Sequence, residues 1–179
     1  MREPTIAKNY AEALLELAQK DGDLAKWGQL IDQFAEAMGS DAKLNGFLAS
    51  PRIAAADKNR VLAQALEGQV PSTFLRFLQA MVRNRRQLLI PQVATQFHAL
   101  VDVVENRVHA SVTVAKPASD ADQQLIAERL SKVVGKTVVP HFYVNPQVLG
   151  GLVVRVGDTV LDGSVRRRLS RLRASMLGR

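Results

Sequence analysis

Apolar residues recur at steps of three and four from the start of the chain. Ile6, Tyr10, Ala13, Leu14 and Leu17 mark a first amphipathic helix, which Asp21-Gly22 stops. Leu24, Trp27, Ile31, Phe34 and Met38 repeat the pattern, with Gly39 closing it. A short third helix carries Leu44, Phe47 and Leu48 and ends at Ser50-Pro51. A fourth carries Val61, Leu62, Ala65 and Leu66 and ends at Gly68. Pro71-Ser72 opens a fifth, with Phe74, Leu78, Met81 and Val82, which fades at Asn84-Arg85-Arg86. A sixth holds Val93, Phe97, Leu100, Val101 and Val104. Six short amphipathic helices with brief connections predict a compact bundle over residues 1–105.

The period then changes to two. Val108, Ala110, Val112 and Val114 alternate with Arg107, His109, Ser111 and Thr113, which predicts a strand broken by Lys116-Pro117. Ser119 followed by Asp122 resembles a capping box with Asp in place of Glu. It heads a helix through Leu125, Ile126, Leu130 and Val133 that Gly135 ends. Thr137 to Val144 is β-rich, with Pro140 favouring an edge or a bulge. Gly151 to Val156 and Thr159 to Leu161 form a hairpin about Gly157-Asp158. Asp162-Gly163-Ser164 turns into a last helix, with Ser164 its N-cap. Residues 106–179 therefore read as a small α/β unit ordered strand, helix, strands, helix.

Charge separates the same two parts. Residues 1–105 hold 12 basic and 12 acidic residues, whereas residues 106–179 hold 12 basic and five acidic, so the whole net charge of +7 lies in the second part. A chain with 47% hydrophobic and 23% charged residues has the composition of a globular protein with a sizeable core. The absence of cysteine excludes disulfides, thiolate metal sites and cysteine nucleophiles. The N-terminus has no apolar core of a secretory signal, and no apolar run approaches the ~20 residues of a spanning helix.

Little here points to catalysis. Gly135-Lys136-Thr137 has Leu130 where a phosphate-binding loop needs its first glycine, and the surrounding order is helix then strand rather than the reverse. The glycines at 150, 151, 157 and 163 do not fit a dinucleotide fingerprint. His98, His109 and His141 form no ligand pair at helical spacing, so solvent-facing or hydrogen-bonded roles are expected and no metal or cofactor is. Asp158 and Asp162 sit at turns, where aspartate serves backbone geometry, and Ser164 reads as a cap. The last helix carries an apolar stripe, Val165, Leu169, Leu172 and Met176, flanked by Arg166, Arg167, Arg168, Arg171 and Arg173. Two readings are open for it. It is either a docked helix with a solvated basic face or a landing site for an acidic helix, a phosphate backbone or anionic lipid. A tail without aromatics argues against single-strand nucleic-acid stacking.

Three stretches resemble one family. LGGLVVRVGDTVLDGSVRRRLSRLRASML is similar to the C-terminal signature of the delta subunit of F-type ATP synthases, related to the mitochondrial oligomycin-sensitivity-conferring protein. AKNYAEALLELA resembles the family's opening helix, and FLRFLQAMVRNRRQLLIPQVATQFHALVD its run around Asn84 and Arg86. The resemblance implies a non-catalytic stator subunit of a proton- or sodium-translocating complex, peripheral to the cytoplasmic side of the bacterial inner membrane. It implies that the bundle grips the N-terminal helices of the alpha subunits, with Tyr10, Ala13, Ala80, Asn84 and Arg86 as candidates on the first and fifth helices. It implies that the second unit holds the C-terminal ends of the b subunits, with Arg166, Arg167 and Arg171 as candidates. Gly151, Gly157, Asp162, Gly163 and Ser164 are expected to define turns. A small basic nucleic-acid-binding or regulatory protein is the rival reading, and a hydrolase would need Asp158, Asp162 and a histidine to converge.

Overall fold

A computed structural model describes residues 3–176 of the chain, so Leu177, the last leucine of the C-terminal signature, lies outside the described residues. The chain divides into two compact units, 1–101 and 102–179.

The first unit is helical: α1 (Glu3–Asp21), α2 (Leu24–Ser40), α3 (Ala42–Ala49), α4 (Ala55–Leu66), α5 (Ser72–Arg83) and all but the last three residues of α6 (Ile90–Val104), with a 3-10 turn, Gln87–Leu89, leading into α6. Its core gathers Trp27, Ile31, Phe74, Leu78, Met81, Ile90, Val93 and Phe97. Trp27 meets Phe74 edge-on at 5.7 Å, and its indole N–H donates to Asp21 at 2.9 Å, which ties the end of α1 to α2.

Three local expectations change. The fully buried line of α1 is Ala7, Ala11, Leu14 and Ala18, whereas Ile6, Tyr10 and Leu17 are half-buried and Ala13 is exposed. Small residues on the innermost line let α1 approach its neighbours closely, and the larger side chains seal its flanks. Helix α2 does not close at Gly39 but runs to Ser40. Asp41 makes the break. Its N–H donates to Ala37 O at 3.0 Å, while its carboxylate accepts from Lys43 N at 2.8 Å and Leu44 N at 3.2 Å, ending one helix and starting the next. On α4, Val61 and Ala65 are exposed and Lys58 is buried beside Leu62. The Lys58 ammonium donates to Leu48 O at 2.6 Å and Ser50 O at 2.8 Å, so it caps the carbonyl end of α3 with a positive charge.

The second unit holds β1 (Arg107–Val114), α7 (Asp120–Val134), β2 (Thr137–Val144), β3 (Leu152–Val156), β4 (Thr159–Asp162) and α8 (Val165–Met176). The sheet order is β2-β1-β3-β4. The first pair is parallel and the other two are antiparallel. A parallel pair needs a crossover, and α7 supplies it. Pro140 lies on the edge strand β2, where a missing N–H is tolerated. Ala110, Val112, Val114, Val138, Val154 and Leu130 of α7 form the small core. Ser119 caps α7, accepting from Asp122 N at 3.3 Å. The box is not reciprocal: Asp122 accepts the Ser119 hydroxyl at 2.6 Å instead of reaching back to the Ser119 N–H. Asp is one methylene shorter than the Glu that closes such a box. Gly135 takes a left-handed conformation (φ 71°) as the stop of α7, immediately before β2.

Candidate functional site

Two of the residues singled out, Tyr10 on α1 and Asn84 at the C-cap of α5, meet. Asn84 Nδ2 donates to the Tyr10 hydroxyl at 2.9 Å across 74 positions of sequence, and the Tyr10 ring packs edge-on to Phe77 at 6.2 Å. Ala13 lies exposed one turn beyond Tyr10, and Ala80 lies half-buried one turn before Asn84, whose N–H donates to Ala80 O at 3.0 Å. The exposed Tyr10–Asn84 bond thus has a small residue one turn away on each helix.

The end of α5 is built with strain. Arg85 has φ 56°, its N–H donating to Val82 O at 3.0 Å, and Arg86 N donates to Met81 O at 2.8 Å. This is the doubled C-terminal closure that normally carries glycine at its left-handed position. It holds Asn84, Arg85 and Arg86 in an exposed, hydrogen-bonded turn. Next to α1, Pro4 and Ala7 line one side of a groove of about 240 Å³ and Gln92, Thr95 and Gln96 of α6 line the other. No pattern along the sequence signals that groove.

In the second unit, the signature glycines mark a crossing of two backbones. Gly151 has φ 77°, and a Cβ there would lie 2.5 Å from Gly163 O. Gly163 N donates to Leu152 O at 2.9 Å and Val165 N to Gly150 O at 3.0 Å, bracing the start of β3 against the entry to α8. Gly157 takes φ 55° at the first position of the two-residue hairpin turn, with open space around it. Asp162 accepts from Ser164 N at 2.9 Å, and the buried Ser164 hydroxyl oxygen accepts from Arg167 N at 3.2 Å at the start of α8. The Ser164 backbone N–H, then its hydroxyl, lower the Asp162 pKa below the ordinary carboxylate value. Partial desolvation opposes them, and Arg167 and Arg171 add to the lowering.

Helix α8 overturns the docked reading of its stripe. It buries no residue, and Val165, Leu169, Leu172 and Met176 are exposed at 41% to 87%. Arg166, Arg167 and Arg171 are exposed as well. One helix thus presents an apolar line flanked by arginines, with neither covered within its unit. The stripe belongs with the candidate contacts as much as the arginines do.

The catalytic groupings considered from the sequence do not come together among the described residues. His98 lies 2.8 Å from both carboxylate oxygens of Asp32, and His109 lies 3.0 Å from Asp102. Neither Asp158 nor Asp162 partners a histidine among the described residues. Gly135-Lys136-Thr137 is a helix stop followed by a strand. Among the described residues no cluster of three or more His, Cys, Asp or Glu could hold a metal ion, and no helix is long and apolar enough to cross a membrane.

The chain was compared with known proteins. Residues 6–176 match the family described as ATP synthase delta (OSCP) subunit. The chain is 57% identical over 174 residues to the ATP synthase subunit delta of Gemmatimonas aurantiaca, covering 97% of this chain and 94% of that protein. It is 35% identical to the protein of the same name from Thioalkalivibrio sulfidiphilus, covering 96% of each. A chain in the Toxoplasma gondii mitochondrial ATP synthase hexamer shares the fold, with a TM-score of 0.59 at 24% identity over 96% of this chain and 97% of that one. The chain belongs to the ATP synthase delta (OSCP) subunit family, non-catalytic stator components of the F-type ATP synthase.

Proposed function

We propose that the two units grip different partners within the complex. The helical unit holds N-terminal helices of the alpha subunits through Tyr10, Ala13, Ala80, Asn84 and Arg86. The second unit holds the C-terminal ends of the b subunits through α8, with Arg166, Arg167 and Arg171 beside Leu169 and Leu172. The protein would then lie peripheral to the cytoplasmic face of the bacterial inner membrane, carried there by the complex. The observation behind this reading is the uncovered α8, whose apolar line and flanking arginines match an amphipathic helix of opposite charge. The Tyr10–Asn84 face supports the other end in the same way.

Torque from the rotor turns the catalytic head unless the stator resists it. Two modest grips in series on one chain hold through effective concentration, so no single residue need dominate. The test is calorimetric titration of the full chain with two peptides in separate experiments. One peptide carries the N-terminal helix of the alpha chain, and the other carries the last helical turns of the b chain. Ala13→Trp should block the first and Leu169→Ser/Leu172→Ser the second, each leaving the other intact. Salt-sensitive binding of duplex DNA or RNA with no binding of either peptide would favour the nucleic-acid reading instead.

A further inference from the structure

The end of α3, the start of α4 and the end of α5 enclose a cavity of about 290 Å³, with Ser50, Ala54, Lys58, Arg85, Gln87 and Leu88 in its walls. Lys58 is only 5% exposed, and its ammonium uses two of its three N–H groups on Leu48 O and Ser50 O. Arg85 is exposed and sits at the left-handed position, φ 56°, that closes α5. Glycine is the usual residue there, so this turn carries a guanidinium where a helix end needs none. Among the described residues neither cation pairs with a carboxylate, and no aspartate or glutamate lines the cavity. The start of α4 adds to the same positive field. Ala54 at its N-cap offers no side-chain acceptor, so the first N–H groups of α4 have no side-chain cap. Gln87 is 7% exposed; its Nε2 donates to Leu48 O at 2.7 Å, and its Oε1 has no partner.

We propose that this cavity binds inorganic phosphate. A buried ammonium without a counter-charge is unfavourable, and an anion seated beside Lys58, Arg85 and the first turn of α4 supplies that charge. The guanidinium fork matches the oxygens of a phosphate group, and lysine holds such a group as a point charge. Gln87 Oε1 decides between oxyanions. It is an acceptor without a donor, so it favours an anion that keeps a proton to give. Hydrogen phosphate keeps one at neutral pH, whereas sulfate, a carboxylate and the dianion of a phosphate monoester do not. Occupation would brace the connection between α3 and α4 against the end of α5, because Ser50 and Ala54 lie on one wall and Arg85 on the other.

Phosphate binding here is independent of which partners the two units grip. The test is calorimetric titration of the full chain with phosphate, sulfate and methyl phosphate at physiological salt, joined to amide NMR and thermal melts. One equivalent of phosphate should bind, with sulfate and methyl phosphate about tenfold weaker or more. The largest amide shifts should fall at Ala55 and Ala56 in the first turn of α4 and at Arg85. Arg85→Gly relieves the left-handed backbone, so that variant should fold and melt at or above the parent temperature. It should nevertheless bind phosphate about tenfold or more weakly. Phosphate should raise the melting temperature of the parent more than that of Arg85→Gly. Arg76, exposed on α5 and not in the cavity wall, is the control: Arg76→Gln should bind as the parent does. Parent-like binding by Arg85→Gly, loss of binding in Arg76→Gln, or shifts centred on the arginines of α8 would each overturn the proposal. So would sulfate or methyl phosphate binding as tightly as phosphate, or no binding by the parent.

Discussion

The side-chain amide of Asn84 donates to the Tyr10 hydroxyl at 2.9 Å, joining the end of α5 to the middle of α1. The bond is exposed, so its removal should cost the fold about 0.5–1 kcal/mol at most. Tyr10→Phe keeps the ring contact with Phe77 and deletes only the acceptor. Urea melts of Tyr10→Phe and Asn84→Ala should therefore lie close to the parent, while binding of the alpha-chain peptide falls for both. Peptide binding unchanged in both variants would remove this face from the docking reading.

Gly151→Ala should damage the second unit severely. The left-handed backbone alone costs about 1–2 kcal/mol for an alanine. The added carbon would also meet Gly163 O at 2.5 Å, against backbone that cannot swing away. A total of about 3 kcal/mol or more is expected, read as lost amide-exchange protection in β3 and β4. Gly157→Ala, left-handed but in open space, should cost only about 1–2 kcal/mol.

Lys58→Met should destabilise the helical unit by about 2–3 kcal/mol. The substitution keeps an apolar stem of similar length but removes the donor from Leu48 O and Ser50 O. Leu48 O retains the Gln87 amide at 2.7 Å, so Ser50 O is the carbonyl left orphaned. Denaturant melts with a lowered midpoint and unchanged slope would report this, whereas a parent-like midpoint would show the cap to be dispensable.

Acid should act on the turn between β4 and α8. The Asp162 pKa is lowered in the folded chain, chiefly by the Ser164 N–H and hydroxyl. A lowered folded value means that the carboxylate's contribution is present above the unfolded value of about 3.9 and is lost as pH falls through the lower, folded one. Stability from this group should thus be flat through neutral pH and fall only in strong acid. Asp162→Asn should flatten that acid limb in melts followed against pH, and an unchanged limb would assign it to other carboxylates.

Leu169→Ser and Leu172→Ser should leave thermal stability within about 0.5 kcal/mol of the parent, because neither side chain is buried. The same changes should abolish binding of the b-chain peptide. Marked destabilisation instead would mean that the stripe packs within the chain.

Periodicity along the chain determined much of this protein. Steps of three and four predicted α1 to α6, and the alternation from Val108 to Val114 predicted β1. Gly22, Gly135 and Gly157 marked three stops and turns because a left-handed backbone excludes most other residues. The stripe of α8 was equally legible, since helical spacing alone arranges it. Whether that stripe was covered was not, because cover depends on what packs against it. Nor could local pattern show the close lines. Ala7, Ala11 and Ala18 lie innermost on α1 because neighbouring helices approach there, a property of pairs of elements rather than of one. Lys58 reads as a surface lysine until its ammonium meets the carbonyl end of α3. Gly151 reads as a turn glycine until the backbone of Gly163 passes 2.5 Å from where its side chain would start. His109 and His141 became neighbours only because β1 and β2 pair in parallel, and strand register over a crossover is a long-range choice. Local periodicity and φ preferences act over a few residues and can be read in order. Contacts across 32 or 74 positions exist only once the chain has closed on itself.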